Sequence, residues 1–364
     1  MKTWKVALVG CGMIAAEHYL PEMQAHIPEA ELAAVCGRDA GRARAYAERF
    51  HAKAWYDSVD RLLDECDFDI LMDVSSISVH HEINMKALKA GKHLYSQKPV
   101  ALTVDEVTEQ INAAEAAHVK FAASPIHLLR PDIQEVIRML HGGTVGKPTM
   151  IRCCASHGGP EYFQYRDTDS SWFYRKGAGA LYDMGIHGIA MATGILGPAK
   201  KVSCMAAVSQ PERTIRSGRL GGSVFQTGEL PDNYLISLTW ENGVLGIIDA
   251  GYCQKASTVN QLELYGTEGT ITIEGPLTIG AGEGLKLYLD APERGTRGWM
   301  NPMPVERPPE EFYQCMALKD LIRAIETDTD PVLSPYHARH VVEILETIPA
   351  AIREERTIEL HTTF

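Results

Sequence analysis

Short apolar runs alternate with charged, amphipathic segments over the first third of the chain. Each run has the length of a strand and ends at glycine, proline or polar residues, as is typical of strands buried on both faces. The segments between the runs repeat their apolar residues at helical spacing. This alternation predicts a doubly wound parallel sheet, with strands at residues 6–9, 32–36, 70–74, 93–96 and 119–123 and helices at 13–27, 42–50, 81–90 and 105–117.

The pattern changes after Ser124-Pro125. The apolar segments become longer, and around Tyr234 they alternate with a period of two, as in a strand with one buried face. A largely antiparallel open sheet with helices on one face is predicted. Its strands are expected at residues 149–155, 201–209, 233–240, 244–252, 261–265 and 270–274, with helices at 131–141 and 335–354. Two segments are predicted to be long loops, namely residues 211–228, which are rich in Gly and Arg, and residues 291–309, which are rich in Pro.

This change of pattern predicts two domains, as does the length of 364 residues, which is long for one core. Residues 1–124 are expected to form the α/β domain and residues 125–364 an α+β domain. An open sheet with helices on one side leaves its other face to be covered. A second copy of the chain is the expected cover, so a homodimer or homotetramer is predicted.

Composition narrows the class of protein. Hydrophobic residues make up 45% and charged residues 23%, as in soluble globular proteins. The net charge of −12 argues against nucleic acid or an anionic membrane as a partner, and no apolar run approaches the ~20 residues that span a bilayer. The chain enters its first strand without a leader-like segment, and its eight cysteines form no C-x-x-C pair. A cytoplasmic protein with reduced thiols is expected.

A glycine-rich turn follows the first predicted strand. Gly10, Gly12 and Ala15 form the pattern G-x-G-x-x-A between a strand and a helix, the setting in which this pattern marks a dinucleotide site. Gly10 permits a tight turn, Gly12 leaves room for a diphosphate, and the small Ala15 lets helix and strand pack closely. The first backbone amides of the helix, at Met13 and Ile14, are expected to face the anion. The first domain is therefore predicted to be a dinucleotide-binding Rossmann domain.

Two other strand ends are expected to complete this site, because ligands of parallel sheets bind beyond the carboxyl ends of the strands. Ser75 follows the strand at 70–74, and Gln97-Lys98-Pro99 follows the strand at 93–96. Lys98 is placed to contact a cofactor or a substrate. A solvated lysine in a turn is the alternative.

The end of the second strand bears on the choice of nicotinamide dinucleotide. An acid here usually binds the ribose 2′-OH of NAD, whereas an arginine accommodates the 2′-phosphate of NADP. In this chain Gly37 stands at the acid's position and Arg38 follows it. NADP is therefore the predicted cofactor. NAD is the alternative, with Arg38 in solvent and Asp39 in the role of the acid.

Asp183 and His187 lie four residues apart in an otherwise apolar or small segment. On a helix they share one face, where they are candidates for acid–base chemistry. Other interpretations are a hydrogen-bonded core histidine, an aspartate near a helix N-terminus and a pair of metal ligands. A metal site needs a third ligand and outer-shell partners, and none is evident nearby, so no metal is predicted.

Together these motifs resemble the glucose–fructose oxidoreductase, inositol dehydrogenase and rhizopine-catabolism (Gfo/Idh/MocA) family. The resemblance also includes residues 87–93 and the turn at 266–269, and it covers residues 6–275. There are two departures. The usual Glu-Lys-Pro is Gln97-Lys98-Pro99 here, and the usual triple glycine is Gly177-Ala178-Gly179. Neither departure removes a group that does chemistry.

The resemblance implies a nicotinamide-dependent dehydrogenase or reductase acting on the CH–OH group of a sugar, a cyclic polyol or a sugar derivative. By position, Lys98, Asp183 and His187 match the family's catalytic Lys, Asp and His. His187 is expected to be the base and Lys98 to stabilise the developing alkoxide. These three are also expected to contact the substrate. Further candidates for contact with the sugar are Arg130, Tyr162 and Trp172, with Tyr174 and His127.

Two other functions stay open on the sequence. One is an NAD(P)-dependent glycoside-cleaving enzyme that oxidises its substrate transiently and then eliminates, and such an enzyme needs only catalytic amounts of cofactor. The other is a nucleotide-binding protein without catalysis, against which the retained Lys98, Asp183 and His187 count.

Overall fold

The computed structural model describes residues 2–163, 169–175, 177–275, 284–302 and 313–364. The chain divides into two compact units. The first unit comprises Met1–Leu129 and Phe312–Val342, and the second comprises Arg130–Glu311 and Glu343–Phe364.

The first unit contains a six-stranded parallel sheet in the order β3-β2-β1-β4-β5-β6. Its strands are β1 (Trp4–Val9), β2 (Ala30–Cys36), β3 (Ala54–Tyr56), β4 (Ile70–Asp73), β5 (His93–Ser96) and β6 (Phe121–Ala123). The central strands β1 and β4 are apolar and buried except for the partly buried Lys5 and the buried Asp73, since both of their faces are covered. The predicted doubly wound parallel sheet is confirmed.

Helices connect these strands, namely α1 (Leu20–His26), α2 (Ala40–Arg49), α3 (Val59–Glu65), α4 (His80–Lys89) and α5 (Val104–Ala116). Two of these helices begin with a side-chain cap. Thr103 and Glu106 form a capping box at the start of α5, and Asp39 caps α2. The pattern did not predict β3 and α3, because a three-residue strand with the exposed Trp55 and a seven-residue helix carry little periodicity.

The second unit contains a nine-stranded sheet and the helices α6 (Pro131–His141) and α7 (Ile186–Leu196). Along the chain its strands are β7 (Pro148–Ser156), β8 (Lys201–Ala207), β11 (Asn233–Thr239), β12 (Leu245–Gly251), β13 (Leu262–Gly266), β14 (Gly269–Ile273), β15 (Leu285–Ala291), β16 (Thr296–Met300) and β17 (Ile358–Glu359). A separate hairpin is formed by β9 (Glu212–Thr214) and β10 (Val224–Gln226). Among the described strands of the nine-stranded sheet, only β7 and β12 pair in parallel, so the predicted, largely antiparallel sheet is confirmed.

The two faces of this sheet differ. Tyr234, Ile236 and Leu238 of β11 are buried on the face that α7 covers. Gly188 lets α7 lie close, because a Cβ there would stand 2.6 Å from Ile248. On the opposite face, Leu235 of β11 pairs with Met205 of β8, and both are exposed.

Both predicted long loops contain strands. Residues 211–228 include the β9–β10 hairpin, and residues 291–309 include β16, which extends the sheet beside β15. These strands escape the pattern because they are short and lie at edges, where one side of the backbone stays unpaired. Residues 303–309 of the second segment lie outside the described residues.

The chain returns to the first unit near its C-terminal end. Helix α8 (Met316–Thr327) contacts β5 and β6, and Glu326 accepts a hydrogen bond from the indole of Trp4 at 3.1 Å. Helix α9 (Pro335–Glu354) is divided between the units after Val342. The predicted single boundary after residue 124 differs from this division, because a linear pattern does not show which sheet a later helix packs on. No described helix is long and apolar enough to span a membrane.

Candidate functional site

The glycine-rich turn is crowded on one side and open on the other. Gly10 has φ +113°, and a Cβ there would lie 2.6 Å from the carbonyl carbon of Val74. A side chain at Gly10 would therefore collide with the backbone at the end of β4. A Cβ at Gly12 would meet nothing within 4 Å. The open space beside Gly12 fits the diphosphate of a dinucleotide.

The segment after the turn is helical from Met13, with a π-helical stretch at Ala15–Tyr19 before α1. The amides of Ala15 and Ala16 bond to the Gly12 carbonyl, and the Tyr46 hydroxyl donates to the same carbonyl at 3.0 Å. The first amides of a helix, here including Met13 and Ile14, lack intrahelical acceptors and suit an anion. Sequence reasoning missed Tyr46, which lies in α2.

Gly37, Arg38 and Asp39 follow β2 as predicted. A Cβ at Gly37 would lie 2.9 Å from the Cys11 sulfur, so the two turns touch. Arg38 is exposed, whereas Asp39 accepts the Arg42 backbone N–H at 2.9 Å. Burial raises the pKa of the Cys11 thiol to about 11, and the nearby positive charge of Arg42 opposes this rise. Arg42 is thus a second cation near the glycine-rich turn, which sequence reasoning also missed.

Ser75 lies two residues after the end of β4, beside the turn at Gly10. Its backbone N–H donates to the buried Asp73 carboxylate at 2.9 Å, and burial raises the pKa of Asp73. The buried His80 has one ring nitrogen 3.2 Å from the Ser75 carbonyl and the other 2.7 Å from the Pro99 carbonyl. His80 therefore connects the two predicted strand-end segments.

Gln97 and Lys98 follow β5, and the Lys98-Pro99 peptide is cis. The Gln97 backbone N–H donates to the Asp73 carbonyl at 2.8 Å. The Gln97 side chain accepts the Lys98 backbone N–H at 2.7 Å and donates to the Tyr19 hydroxyl at 2.8 Å. Hydrogen bonds therefore fix the backbone that carries Lys98 on two sides.

Asp183 and His187 lie in the second unit, Asp183 within the π-helical segment Leu181–Gly185 and His187 in the first turn of α7. The i→i+5 bonding of a π-helix widens the turn, so residues four apart stay near one face. Tyr252 donates its hydroxyl proton to Asp183 Oδ2 at 2.9 Å. The Tyr252 ring stacks on His157, with their centroids 5.1 Å apart. Sequence reasoning missed Tyr252 as a site residue, although it is the last residue of the strand predicted at 244–252.

A buried ion cluster lies behind Tyr252. Arg213, which is 1% exposed, pairs with Glu161 at 2.8 Å and with Asp232 at 2.6 Å. It also donates to the Tyr252 carbonyl at 2.9 Å. Tyr174 donates to the second oxygen of Glu161 at 2.6 Å. Burial works against the charge of Asp232, but the Ser209 N–H and the Arg213 guanidinium outweigh it and lower the pKa of Asp232.

The predicted substrate residues have different surroundings. Arg130 is a correction, because it is fully buried and bonds to both carboxylate oxygens of Asp132 and to Gln261. These bonds use three of the five N–H groups of Arg130 within the interior, and the side chain has no exposed surface for a sugar. Trp172 is 43% exposed, and Tyr162 is partly buried beneath the Arg216 guanidinium, 3.9 Å from the ring centroid. The Tyr174 hydroxyl bonds to Glu161, and His127 is buried in the first unit.

Lys98 belongs to the first unit, and Asp183 and His187 belong to the second. Within the described parts of the chain, no three His, Cys, Asp or Glu side chains are grouped as a metal ion would require.

Two relatives match nearly the whole chain. D-apiose dehydrogenase of Paraburkholderia graminis is 25% identical over 99% of this chain and 90% of its own length. Myo-inositol 2-dehydrogenase of Thermotoga maritima is 22% identical over 98% of both chains. Among solved structures, a levoglucosan dehydrogenase in complex with NADH superposes with a TM-score of 0.83 at 19% identity, covering 99% of this chain and 100% of that one. This likeness confirms the fold.

Family profiles match both parts of the chain. Residues 4–124 match an oxidoreductase family with an NAD-binding Rossmann fold. Residues 133–272 match the GFO/IDH/MocA C-terminal domain. The turn at Gly10 and Gly12 and the segment with Asp183 and His187 fall within these two matches. The chain therefore belongs to the Gfo/Idh/MocA family of NAD-binding oxidoreductases.

Proposed function

We propose that this protein transfers a hydride between a nicotinamide cofactor and the CH–OH carbon of a sugar, a cyclic polyol or a sugar derivative. The observation that carries the proposal is the open space beside Gly12 at the start of the first helix, in a chain that keeps Lys98, Asp183 and His187 at the family's catalytic positions. The names of the two dehydrogenases that match the chain over most of its length support the substrate class.

Each residue has one role in this proposal. The bound dinucleotide supplies the acceptor or donor of the hydride. His187 takes the hydroxyl proton, and a positioned base of this kind contributes ~10²–10⁴-fold. Lys98 stabilises the negative charge that develops on the substrate oxygen. Asp183, oriented by Tyr252, binds a neighbouring hydroxyl. Tyr162 and Trp172 contact the sugar.

We propose NADP as the preferred cofactor, with NAD as the alternative. Arg38 is exposed at the end of β2 and Arg42 lies near the same turn, while Asp39 is used as a helix cap. A charge-assisted contact with the 2′-phosphate contributes about 1.5–3 kcal/mol. Arg38→Ala should weaken NADP binding roughly tenfold to hundredfold and leave NAD binding nearly unchanged. Equal losses for both dinucleotides would contradict the preference.

We also propose a homodimer or homotetramer built on the face of the large sheet opposite α7. Leu235, Met205 and Leu245 are exposed there at 41%, 69% and 52%. Large exposed apolar side chains on one face favour a protein contact. Light scattering of the wild type at micromolar concentration should show the oligomer, and Leu235→Glu with Met205→Glu should shift it toward monomer. A monomeric wild type would refute this assembly.

The reaction is tested with purified protein, NADP or NAD, and a panel of probes that includes D-apiose, myo-inositol and D-xylose. Reduced cofactor should accumulate in proportion to the substrate consumed. Lys98→Ala and His187→Ala should each lower single-turnover transfer by roughly a hundredfold or more while cofactor affinity stays within about threefold. Glycoside cleavage that proceeds with only catalytic cofactor would identify the eliminating enzyme instead.

A further inference from the structure

The Gln97 side chain is held at both ends of its amide. Its Oε1 accepts the Lys98 backbone N–H at 2.7 Å, and its Nε2 donates to the Tyr19 hydroxyl at 2.8 Å. Because a backbone N–H only donates, the Gln97 atom that faces it must be the amide oxygen. The NH₂ group must therefore face Tyr19, and the partners fix the orientation of the amide.

Tyr19 continues this network into the interior of the first unit. Its hydroxyl lies 2.6 Å from that of Tyr95, which in turn has the Ser124 hydroxyl as a partner. Both tyrosines are fully buried, and burial raises the pKa of both phenols, so both stay protonated near neutral pH. Since the Tyr19 hydroxyl accepts a hydrogen bond from the Gln97 amide, its own O–H is available to donate to Tyr95, and the Tyr95 O–H is available to donate to Ser124.

The network joins two elements that the proposed reaction uses. Tyr19 ends the π-helical segment that follows the glycine-rich turn, and Tyr95 lies in β5, which leads into Gln97 and Lys98. The other titratable groups that act on Tyr19 and Tyr95 are Cys315 and Glu22. Glu22 accepts the Cys315 backbone N–H at 2.9 Å, so its charge has a partner of its own.

We infer that Gln97, Tyr19 and Tyr95 are positioning residues that fix the Lys98 peptide relative to the start of the first helix. The inference rests on the proposed function, in which that helix start binds the cofactor and Lys98 meets the substrate. Coupling the two elements keeps the lysine in register with the bound dinucleotide. A misplacement of about 1 Å costs on the order of 10²-fold in rate, so such a network has a direct effect on turnover.

The network accommodates glutamine as well as glutamate, which the family usually has at position 97. A carboxylate at position 97 would still accept a hydrogen bond from the Lys98 N–H, but it would accept a hydrogen bond from the Tyr19 hydroxyl instead of donating one. The direction of the hydrogen bonds between the hydroxyls would then reverse, with Tyr95 donating to Tyr19 and Ser124 donating to Tyr95. Either arrangement keeps the hydrogen bond from the Lys98 backbone N–H, whereas an apolar side chain at position 97 cannot accept it.

Amide exchange at Lys98 tests the geometry without any substrate. In ¹⁵N-lysine-labelled protein, the Lys98 signal is assigned by its loss in Lys98→Arg. Its exchange should stay slow in Gln97→Glu and become about tenfold faster or more in Gln97→Met, which loses one hydrogen bond of about 1.4 kcal/mol. Tyr56→Phe in β3, another nearly buried tyrosine of the same unit, is the matched control and should leave the signal unchanged. Equal exchange in wild type and Gln97→Met would overturn the inference.

Single-turnover hydride transfer tests the consequence, with the fastest sugar of the probe panel and NADP. Gln97→Met and Tyr19→Phe should lower the rate by about tenfold to hundredfold with NADP affinity within about threefold, whereas Gln97→Glu should stay near wild type. In a Lys98→Ala background, Gln97→Met should have no further effect, because it acts through Lys98. An undiminished further loss would indicate a general structural defect and overturn the inference. A wild type that transfers no hydride refutes the proposed function, while amide exchange still decides the network.

Discussion

The glycine-rich turn of the first unit and the surroundings of Asp183 in the second are held in place by different means. At the turn, steric demands on the backbone decide the geometry. Gly10 lies against the Val74 backbone, and Gly12 faces open space. Around Asp183, side chains decide it. Tyr252 bonds to the carboxylate, and Arg213 bonds to the Tyr252 carbonyl and to two buried acids.

This difference explains which parts of the candidate site leave a mark in the sequence. A backbone-built turn needs particular residues at consecutive positions, so it has a local motif. The hydrogen bond from Tyr252 to Asp183 joins residues 69 positions apart. No local spacing encodes such a contact. Four experiments test this difference between the two regions.

The largest effect is expected at Arg213. Arg213→Met leaves Glu161 and Asp232 buried without their counter-charge, which costs about 3–5 kcal/mol of unfolding free energy. Arg216→Met, an exposed arginine three positions later, should change it by less than about 0.5 kcal/mol. Urea unfolding monitored for both variants measures the difference. A loss below about 1 kcal/mol for Arg213→Met would mean that the cluster does not hold the second unit together.

Substitutions at Gly10 and Gly12 are expected to affect different properties, one the stability of the fold and the other the affinity for the dinucleotide. Gly12→Ala places a methyl group in open space, so stability should be kept while dinucleotide affinity falls roughly tenfold to hundredfold. Gly10→Ala forces a Cβ against Val74 at a φ of +113° and should cost about 1–3 kcal/mol of stability. Calorimetry of cofactor binding and of thermal unfolding, carried out on both variants, measures the two effects. Two variants with the same profile would show that the turn does not have distinct crowded and open sides.

Tyr252→Phe is a smaller change to the region around Asp183 than Arg213→Met. Tyr252→Phe keeps the ring against His157 but removes a hydrogen bond to a carboxylate, worth about 1.5 kcal/mol or more. Turnover should fall about tenfold, with cofactor affinity unchanged. Tyr234→Phe, a buried tyrosine of β11, is the control. If both variants turn over at the wild-type rate, Asp183 does not depend on this bond for its orientation.

The smallest effect concerns how each unit buries ionisable groups. Burial, together with the neighbouring His340, lowers the pKa of His337 to about 3, so the folded first unit keeps this imidazole neutral. The unfolded chain takes up a proton below about pH 6.5. The stability that His337 contributes is therefore complete above pH 6.5 and declines as the pH falls toward 3.

At pH 5.5 this decline amounts to about 1.4 kcal/mol. Wild-type protein should lose that much more unfolding free energy between pH 7.5 and 5.5 than His337→Gln does. His141→Gln, at an exposed site, should behave like wild type. Asp232 of the Arg213 cluster should not contribute in this range, since its pKa is lowered rather than raised. Parallel pH dependences for wild type and His337→Gln would refute the assignment.

Sequence pattern determined most of the architecture and the chemistry-bearing residues proposed here. The alternation of strands and helices gave the parallel sheet, because strands buried on both faces must be apolar throughout. The alternation in β11 gave the one-sided sheet of the second unit. Lys98, Asp183 and His187 came from motifs, and their roles stay predictions.

Tertiary structure decided what depends on contacts between distant residues. Helix α8 belongs to the first unit because its apolar face packs on β5 and β6, and Arg130 is internal because Asp132 and Gln261 satisfy its guanidinium. Gln97 bonds to Tyr19, 78 positions away in the chain. Periodicity and turn chemistry act between near neighbours and are therefore written locally. A buried polar group must be satisfied by whichever partner the fold brings to it, and only the folded chain shows which residue that is.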